Sequence, residues 1–197
     1  MNILIDLSKL RLLSSSKINK LYKNYKYCMQ RLKLMENSGY IVCKGRLPNS
    51  EKIYSLTKKG CSIIDCDYNN IFAKLDKANH YLACADFYYY LNRPSEFYLE
   101  QQYTFLHKNT KYTFRPDIIT MINDNWVLVE IDLTNKRFRE KIEKWELFYK
   151  TNEFTKYFKQ FPPIVIVSTN IEKIKNIIND TKTIELNYVF KNYYEIL

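Results

Sequence analysis

Apolar residues recur at helical spacing from the start of the chain. Ile3, Leu4, Leu7 and Leu10 share one face and predict an amphipathic helix. Ser14-Ser15-Ser16 then offers capping hydroxyls before Ile18, Leu21 and Tyr22, so a second, short helix is expected there. After a break at Lys23-Asn24, Cys28, Leu32 and Met35 mark the buried stripe of a third helix. Gly39 stands at its end, where a left-handed cap residue is needed. Residues 40–43 read as a strand, 44–51 as a polar loop containing Gly45 and Pro48, and 52–56 as the returning strand. Thr57-Lys58-Lys59-Gly60 leads into a short apolar segment at Ile63-Ile64. Three helices followed by a hairpin is the order of a winged helix-turn-helix, which defines an expected first domain at residues 1–67.

The polar stretch 65–70 reads as a connector. Beyond it, residues 71–92 predict a long helix with Leu75, Ala78, Leu82, Ala85 and Tyr89 on its apolar face. Strand-like runs follow at 97–106, 112–122 and 126–133, and then a charged helix at 136–150. Pro162-Pro163 stops the chain before a buried strand at 164–167, a helix at 171–178 and a last strand at 184–190. The order α-β-β-β-α-β-α-β implies a mixed sheet covered by helices. The class is α/β (α+β), with a second domain at 71–197.

One turn places chemistry. In Ile122-Asn123-Asp124-Asn125-Trp126, the Asn-Asp pair suits a two-residue hairpin loop, since both residues tolerate positive φ. That loop sets Asp117 directly opposite Glu130, with Cβ atoms about 4.5–5.5 Å apart. Asp132 follows on the same face. A loop shifted to Asp124-Asn125 would instead oppose Asp117 to Asp132. Opposed carboxylates among Ile118-Ile119 and Val127-Leu128-Val129 need a cation or a proton. Either a divalent metal, Mg²⁺ or Mn²⁺, is held there by Asp117, Glu130 and Asp132, or Arg115, Lys141 or Lys144 neutralises them.

Composition and charge narrow the rest. The 197 residues carry 31 Lys+Arg against 21 Asp+Glu, and only 3 Gly and 5 Pro in a chain that is 46% hydrophobic, which argues against disorder. No apolar run approaches the ~18–20 residues of a membrane span. Asp6 stands where a signal peptide would be apolar, and five Cys make no disulfide framework, so a cytoplasmic protein with reduced thiols is expected. Residues 1–70 hold 13 basic and 5 acidic residues, the remainder 18 and 16. An AT-rich genome raises Lys evenly; this clustering points instead to a polyanion bound by the first domain. The positions free of core duty on the third helix are Lys26, Gln30, Arg31 and Lys33, and the hairpin adds Lys44, Arg46 and Lys52. Arg and Gln can read base edges while Lys holds phosphates. The competing reading is a solvated face used for protein contacts. Cys61 and Cys66 lack a second Cys/His pair for zinc, and Tyr88-Tyr89-Tyr90 read as core aromatics.

Several motifs, taken in order, resemble the replication-relaxation proteins of bacterial plasmids and conjugative elements. They are Leu56-Thr57-Lys58-Lys59-Gly60, His80-Tyr81-Leu82 with Asp86-Phe87-Tyr88, Glu100, Arg115-Pro116-Asp117, Glu130-Ile131-Asp132, a Lys-bearing helix ending near Tyr149, and residues 163–169. That family resembles the PD-(D/E)xK nucleases, with a restriction-endonuclease-like αβββαβ core. The resemblance implies Asp117 and Glu130 as metal ligands for phosphodiester hydrolysis. The Lys two residues after the second acid is replaced by Asp132, so Lys141 or Lys144 would have to reach back from the next helix. It also implies double-stranded DNA at a plasmid origin-type site, a relaxase or replication protein as partner, and a homodimer. Two functions follow: a DNA-binding accessory protein whose nuclease-like domain is non-catalytic, or a Mg²⁺-dependent endonuclease or nickase. A transcriptional regulator is a third, for which the acidic cluster would be superfluous.

Overall fold

The structure, a computed structural model, describes residues 2–20, 22, 24–71, 73–134 and 138–197. It is mixed α/β, and its contacts divide it into two units, Met1–Ala85 and Asp86–Leu197. The division lies inside a helix, whereas the composition shift that set the expected boundary lies at 65–70. Among the described residues no helix is long and apolar enough to cross a membrane.

In the first unit, α1 (Asn2–Leu10) buries Ile3, Leu4, Leu7 and Leu10, the expected face. A two-residue strand, β1 (Leu13–Ser14), leads into α2 (Ser15–Asn19), whose N-cap Ser14 hydroxyl accepts from the Lys17 amide at 3.4 Å. Leu21 and Lys23 lie outside the described residues. α3 (Tyr25–Asn37) begins at Asn24, whose side chain accepts from the Tyr27 amide at 3.1 Å. It buries Cys28, Leu32 and Met35 and is followed by Gly39 at φ +72°. The hairpin β2 (Ile41–Arg46) and β3 (Lys52–Leu56) pairs with β1 in an antiparallel sheet ordered β1-β3-β2. β2 runs past the expected end at residue 43 because a bulge between Cys43 and Gly45 absorbs one residue and lets pairing resume to Arg46.

The segment after the hairpin is a helix rather than a mere apolar run. In α4 (Lys58–Ile63), Thr57 caps the first turn by accepting from the Gly60 amide at 3.0 Å, and Ile63 is exposed. Gly60 lies beneath the Tyr40 carbonyl: an added Cβ would stand 2.1 Å from that oxygen. Gly60→Ala is therefore expected to cost about 1–3 kcal/mol by overpacking, read as a lowered urea midpoint. α5 (Tyr68–Ile71) and a 3₁₀ turn at Leu75–Lys77 come next, and then α6 (Ala78–Tyr90). The expected helix from residue 71 is thus broken, and Leu75 is exposed rather than on its apolar face. From residue 81 to 88 every α6 side chain is buried, more than a single stripe.

The second unit holds a five-stranded sheet ordered β10-β9-β8-β7-β4. Its strands are β4 (Phe97–Leu99), β7 (Ile118–Ile122), β8 (Asn125–Asp132), β9 (Ile164–Ser168) and β10 (Tyr188–Asn192). β8, β9 and β10 are parallel; β4, β7 and β8 are antiparallel. Two of the expected long strands are each split. β5 (Tyr103–His107) and β6 (Thr110–Phe114) form a separate ribbon. The splits fall at Glu100, whose φ is +51°, and at Arg115-Pro116, where proline has no amide to pair. α7 (Phe138–Lys150) and α8 (Ile171–Thr181) cover one sheet face, and Lys136, the expected start of α7, lies outside the described residues. Trp145, Phe138, Ile142 and Phe148 of α7 pack there with Ile119, Leu128, Ile164, Ile166 and the ribbon aromatics Tyr103, Phe105 and Phe114.

Candidate functional site

The β7–β8 turn is Asn123-Asp124, with φ of +50° and +60°, as the two-residue loop requires. The register pairs Ile118 with Val129 and Ile122 with Asn125, so Asp117 lies across from Glu130 just past the last strand pair. The Asp117 carboxylate extends the ladder with its side chain. Its Oδ2 accepts from the Ile131 amide at 2.8 Å, and its carbonyl accepts from the Glu100 amide at 3.0 Å. That second bond brings Glu100 beside the acid.

Lys141 of α7 reaches into this pair. Its Nζ donates to Glu130 Oε2 in a short contact and to Asp117 Oδ2 at 3.4 Å. Glu130 is fully buried, and burial followed by the nearby Asp117 pushes its carboxyl well above the usual carboxylate range, against the pull of Lys141. Burial disfavours the Lys141 ammonium, but Glu130 and Asp117 outweigh that and hold it above its ordinary value. Asp132 adds to the negative field at Lys141, and its Oδ1 accepts from the Thr134 amide at 3.0 Å. Of the three cations weighed from the sequence, Lys141 is the one in the pair; Arg115 instead donates to Gln102 Oε1 at 3.3 Å. Lys144 is exposed.

The oxygen donors suit Mg²⁺ or Mn²⁺ in kind. Here the Lys141 ammonium bridges Asp117 and Glu130. Among the described residues, no group of three or more His, Cys, Asp or Glu is disposed to hold a metal. The cluster opens on a cavity of about 370 Å³ lined by Arg115, Glu130, Glu140, Lys141, Lys144 and Trp145, among others.

The second candidate surface is in the first unit. Lys26, Gln30, Arg31 and Lys33 are all exposed on α3. Arg46 is exposed in the hairpin, where it donates to the Ser50 carbonyl at 2.7 Å, and Lys44 is half-buried. Lys52 is committed elsewhere: its Nζ pairs with Glu36 Oε2 of α3 at 3.2 Å. α3 also exposes Tyr25, Tyr27 and Leu34, which the charge pattern does not single out.

Two further buried acids anchor the second unit. Glu146 of α7 is buried and accepts from the amides of Thr183 at 2.7 Å and Ile184 at 3.3 Å, from the Thr183 hydroxyl, and from Lys150 at 3.3 Å. Asp86, also buried, accepts from the Tyr193 hydroxyl at 2.7 Å. Only burial distinguishes these acids, and nothing in their spacing announces it. His80 lies 3.8 Å from Cys84 Sγ and edge-on to Tyr81.

These features define a class: a mixed α/β protein with one basic helix–hairpin unit and one sheet unit bearing an Asp-Glu-Lys cluster built on the buried Glu130. Residues 4–164 match the family described as replication-relaxation, and the chain belongs to that family. No curated protein matches it. Among solved structures, protein VC1899 from Vibrio cholerae is similar at a TM-score of 0.37 and 11% identity, over 86% of this chain and 40% of that one. The chain thus spans less than half the length of that protein.

Proposed function

We propose that this chain is a DNA-binding accessory protein of plasmid or mobile-element replication or relaxation. Residues 1–67 act as a winged helix on double-stranded DNA, and the second domain, 71–197, serves as a nuclease-like platform that does not cleave. The observation that carries this reading is the exposed Lys26, Gln30, Arg31 and Lys33 on α3, beside a hairpin that presents Arg46. In such a module the third helix enters the major groove and the hairpin meets the backbone. Arg31 is suited to a guanine edge, and Leu34 and Tyr27 beside it give apolar surface to a thymine methyl. A duplex selected from a random pool, labelled for anisotropy, tests it. Arg31→Ala is expected to weaken binding by about 1–3 kcal/mol and to relax preference at one position, while Lys33→Ala weakens all sequences alike. Unchanged affinity in both variants overturns the reading.

A second reading is a metal-dependent nuclease or nickase using Asp117 and Glu130. What favours it is the convergence of Asp117, Glu130 and Lys141 at a mouth that also carries Arg115 and Lys144. Supercoiled plasmid with Mg²⁺ or Mn²⁺ separates the two. The platform reading expects the plasmid to stay supercoiled. Nicking that Asp117→Ala and Glu130→Ala both abolish would establish the enzyme instead.

A further inference from the structure

α4 ends in a hydrogen-bonded cap whose two contact positions are both cysteine. The Ile64 and Cys66 amides both donate to the Cys61 carbonyl at 3.1 Å, and Asp65 between them takes φ +52°. This is the pattern in which a residue just beyond a helix folds back onto the last turn, and the two side chains so joined normally make an apolar contact. Here the two positions are Cys61 and Cys66, whose backbones the cap bond holds together. Cys61 is buried and Cys66 is half-buried. All five cysteines are free thiols.

We propose that Cys61 and Cys66 form a redox-active dithiol that closes to an intramolecular disulfide by exchange with a small-molecule disulfide. The Cys66 thiolate, at the accessible position, attacks one sulfur of the small disulfide and expels the first small thiolate. Cys61 then gives up its proton and attacks Cys66 Sγ in the mixed disulfide, forming the Cys61–Cys66 bond and expelling the second. The protein loses two hydrogens and two electrons, and the small disulfide becomes two thiols. Cys66 is the more accessible of the two, and burial, then the neighbouring Cys66, pushes the Cys61 thiol up to about 12, so Cys66 attacks first.

The modified cap lies at a junction that matters to the hairpin. Thr57 at the start of α4 donates to the Gly39 carbonyl at 2.5 Å, and Lys59 donates to the Ser38 carbonyl at 2.9 Å. α4 therefore ties down the turn between α3 and β2, and a disulfide at its far end locks the tie.

Incubating the full chain with oxidised glutathione, then denaturing it and counting thiols, tests the proposal. Wild type is expected to fall from five titratable thiols to three, with the lost pair mapped to one peptide containing residues 61–66. Cys61→Ser is expected to keep a stable glutathione adduct on Cys66. In Cys66→Ser, Cys61 is expected to stay reduced. Five thiols retained by wild type, loss at Cys28, Cys43 or Cys84 instead, or no trapped adduct in Cys61→Ser would each overturn it.

Discussion

Lys141→Ala is expected to lower the stability of the protein by about 3 kcal/mol, because it leaves the buried Glu130 facing Asp117 with no cation between them. Glu130 is fully buried, and Lys141 Nζ bonds both it and Asp117. The lower end of the range for breaking buried pairs applies, since a third of the Lys141 side chain is solvent-exposed. Chemical denaturation of the single and double variants checks the cause. Adding Glu130→Gln to Lys141→Ala should recover most of the loss, because a neutral amide no longer repels Asp117. A coupling energy near zero in that cycle would mean that Lys141 acts through packing alone.

Glu146→Ala is expected to cost about 1.5–3 kcal/mol, since it strips a charged acceptor from two amides, a hydroxyl and an ammonium. The conservative Glu146→Gln isolates the charge. Burial works against the Glu146 carboxylate, but the donors from Thr183, Ile184 and Lys150 outweigh it and hold the carboxyl below its usual range. With the folded value below the unfolded one, this stabilisation is present above the ordinary glutamate pKa, about 4.3, and fades as pH falls through the folded value. Wild type and Glu146→Gln should therefore differ most near neutral pH and converge in acid. A gap independent of pH would place the effect in shape rather than charge.

The carboxylate pair was legible because its register depends on one turn. Asn123 and Asp124 tolerate positive φ, so the hairpin could be counted outward to Asp117 and Glu130. The cation that meets them was not legible. Arg115, Lys141 and Lys144 were equal candidates until the rotation of α7 was fixed, and that rotation is set by Trp145, Ile142 and Phe148 packing on the sheet. Strand lengths failed for a local reason. An apolar alternation continues through Glu100 and through Pro116, but the backbone at those points cannot keep pairing with the same neighbour. Lys52 shows the same limit for charge: its sequence position marks it as a hairpin cation, while the fold assigns it to Glu36.

The stripes of α1 and α3, by contrast, are buried as their spacing predicts. Ile3, Leu4, Leu7 and Leu10, then Cys28, Leu32 and Met35, are all buried, because each short amphipathic helix has one apolar face to hide. The leftover face of α3 is what the functional account rests on. Its exposed basic residues are a consequence of that burial.

The most direct measurement is the salt dependence of duplex binding by the full chain. Wild type is compared with a variant in which Lys26, Arg31, Lys33 and Arg46 are all alanine. If these four meet the DNA backbone and grooves, the slope of log affinity against log salt becomes shallower by roughly 0.9 per phosphate contact removed, while Lys52→Ala, already paired with Glu36, changes it little. A slope and affinity identical to wild type in the fourfold variant would contradict the account, and the basic face of α3 would then have to serve a protein partner.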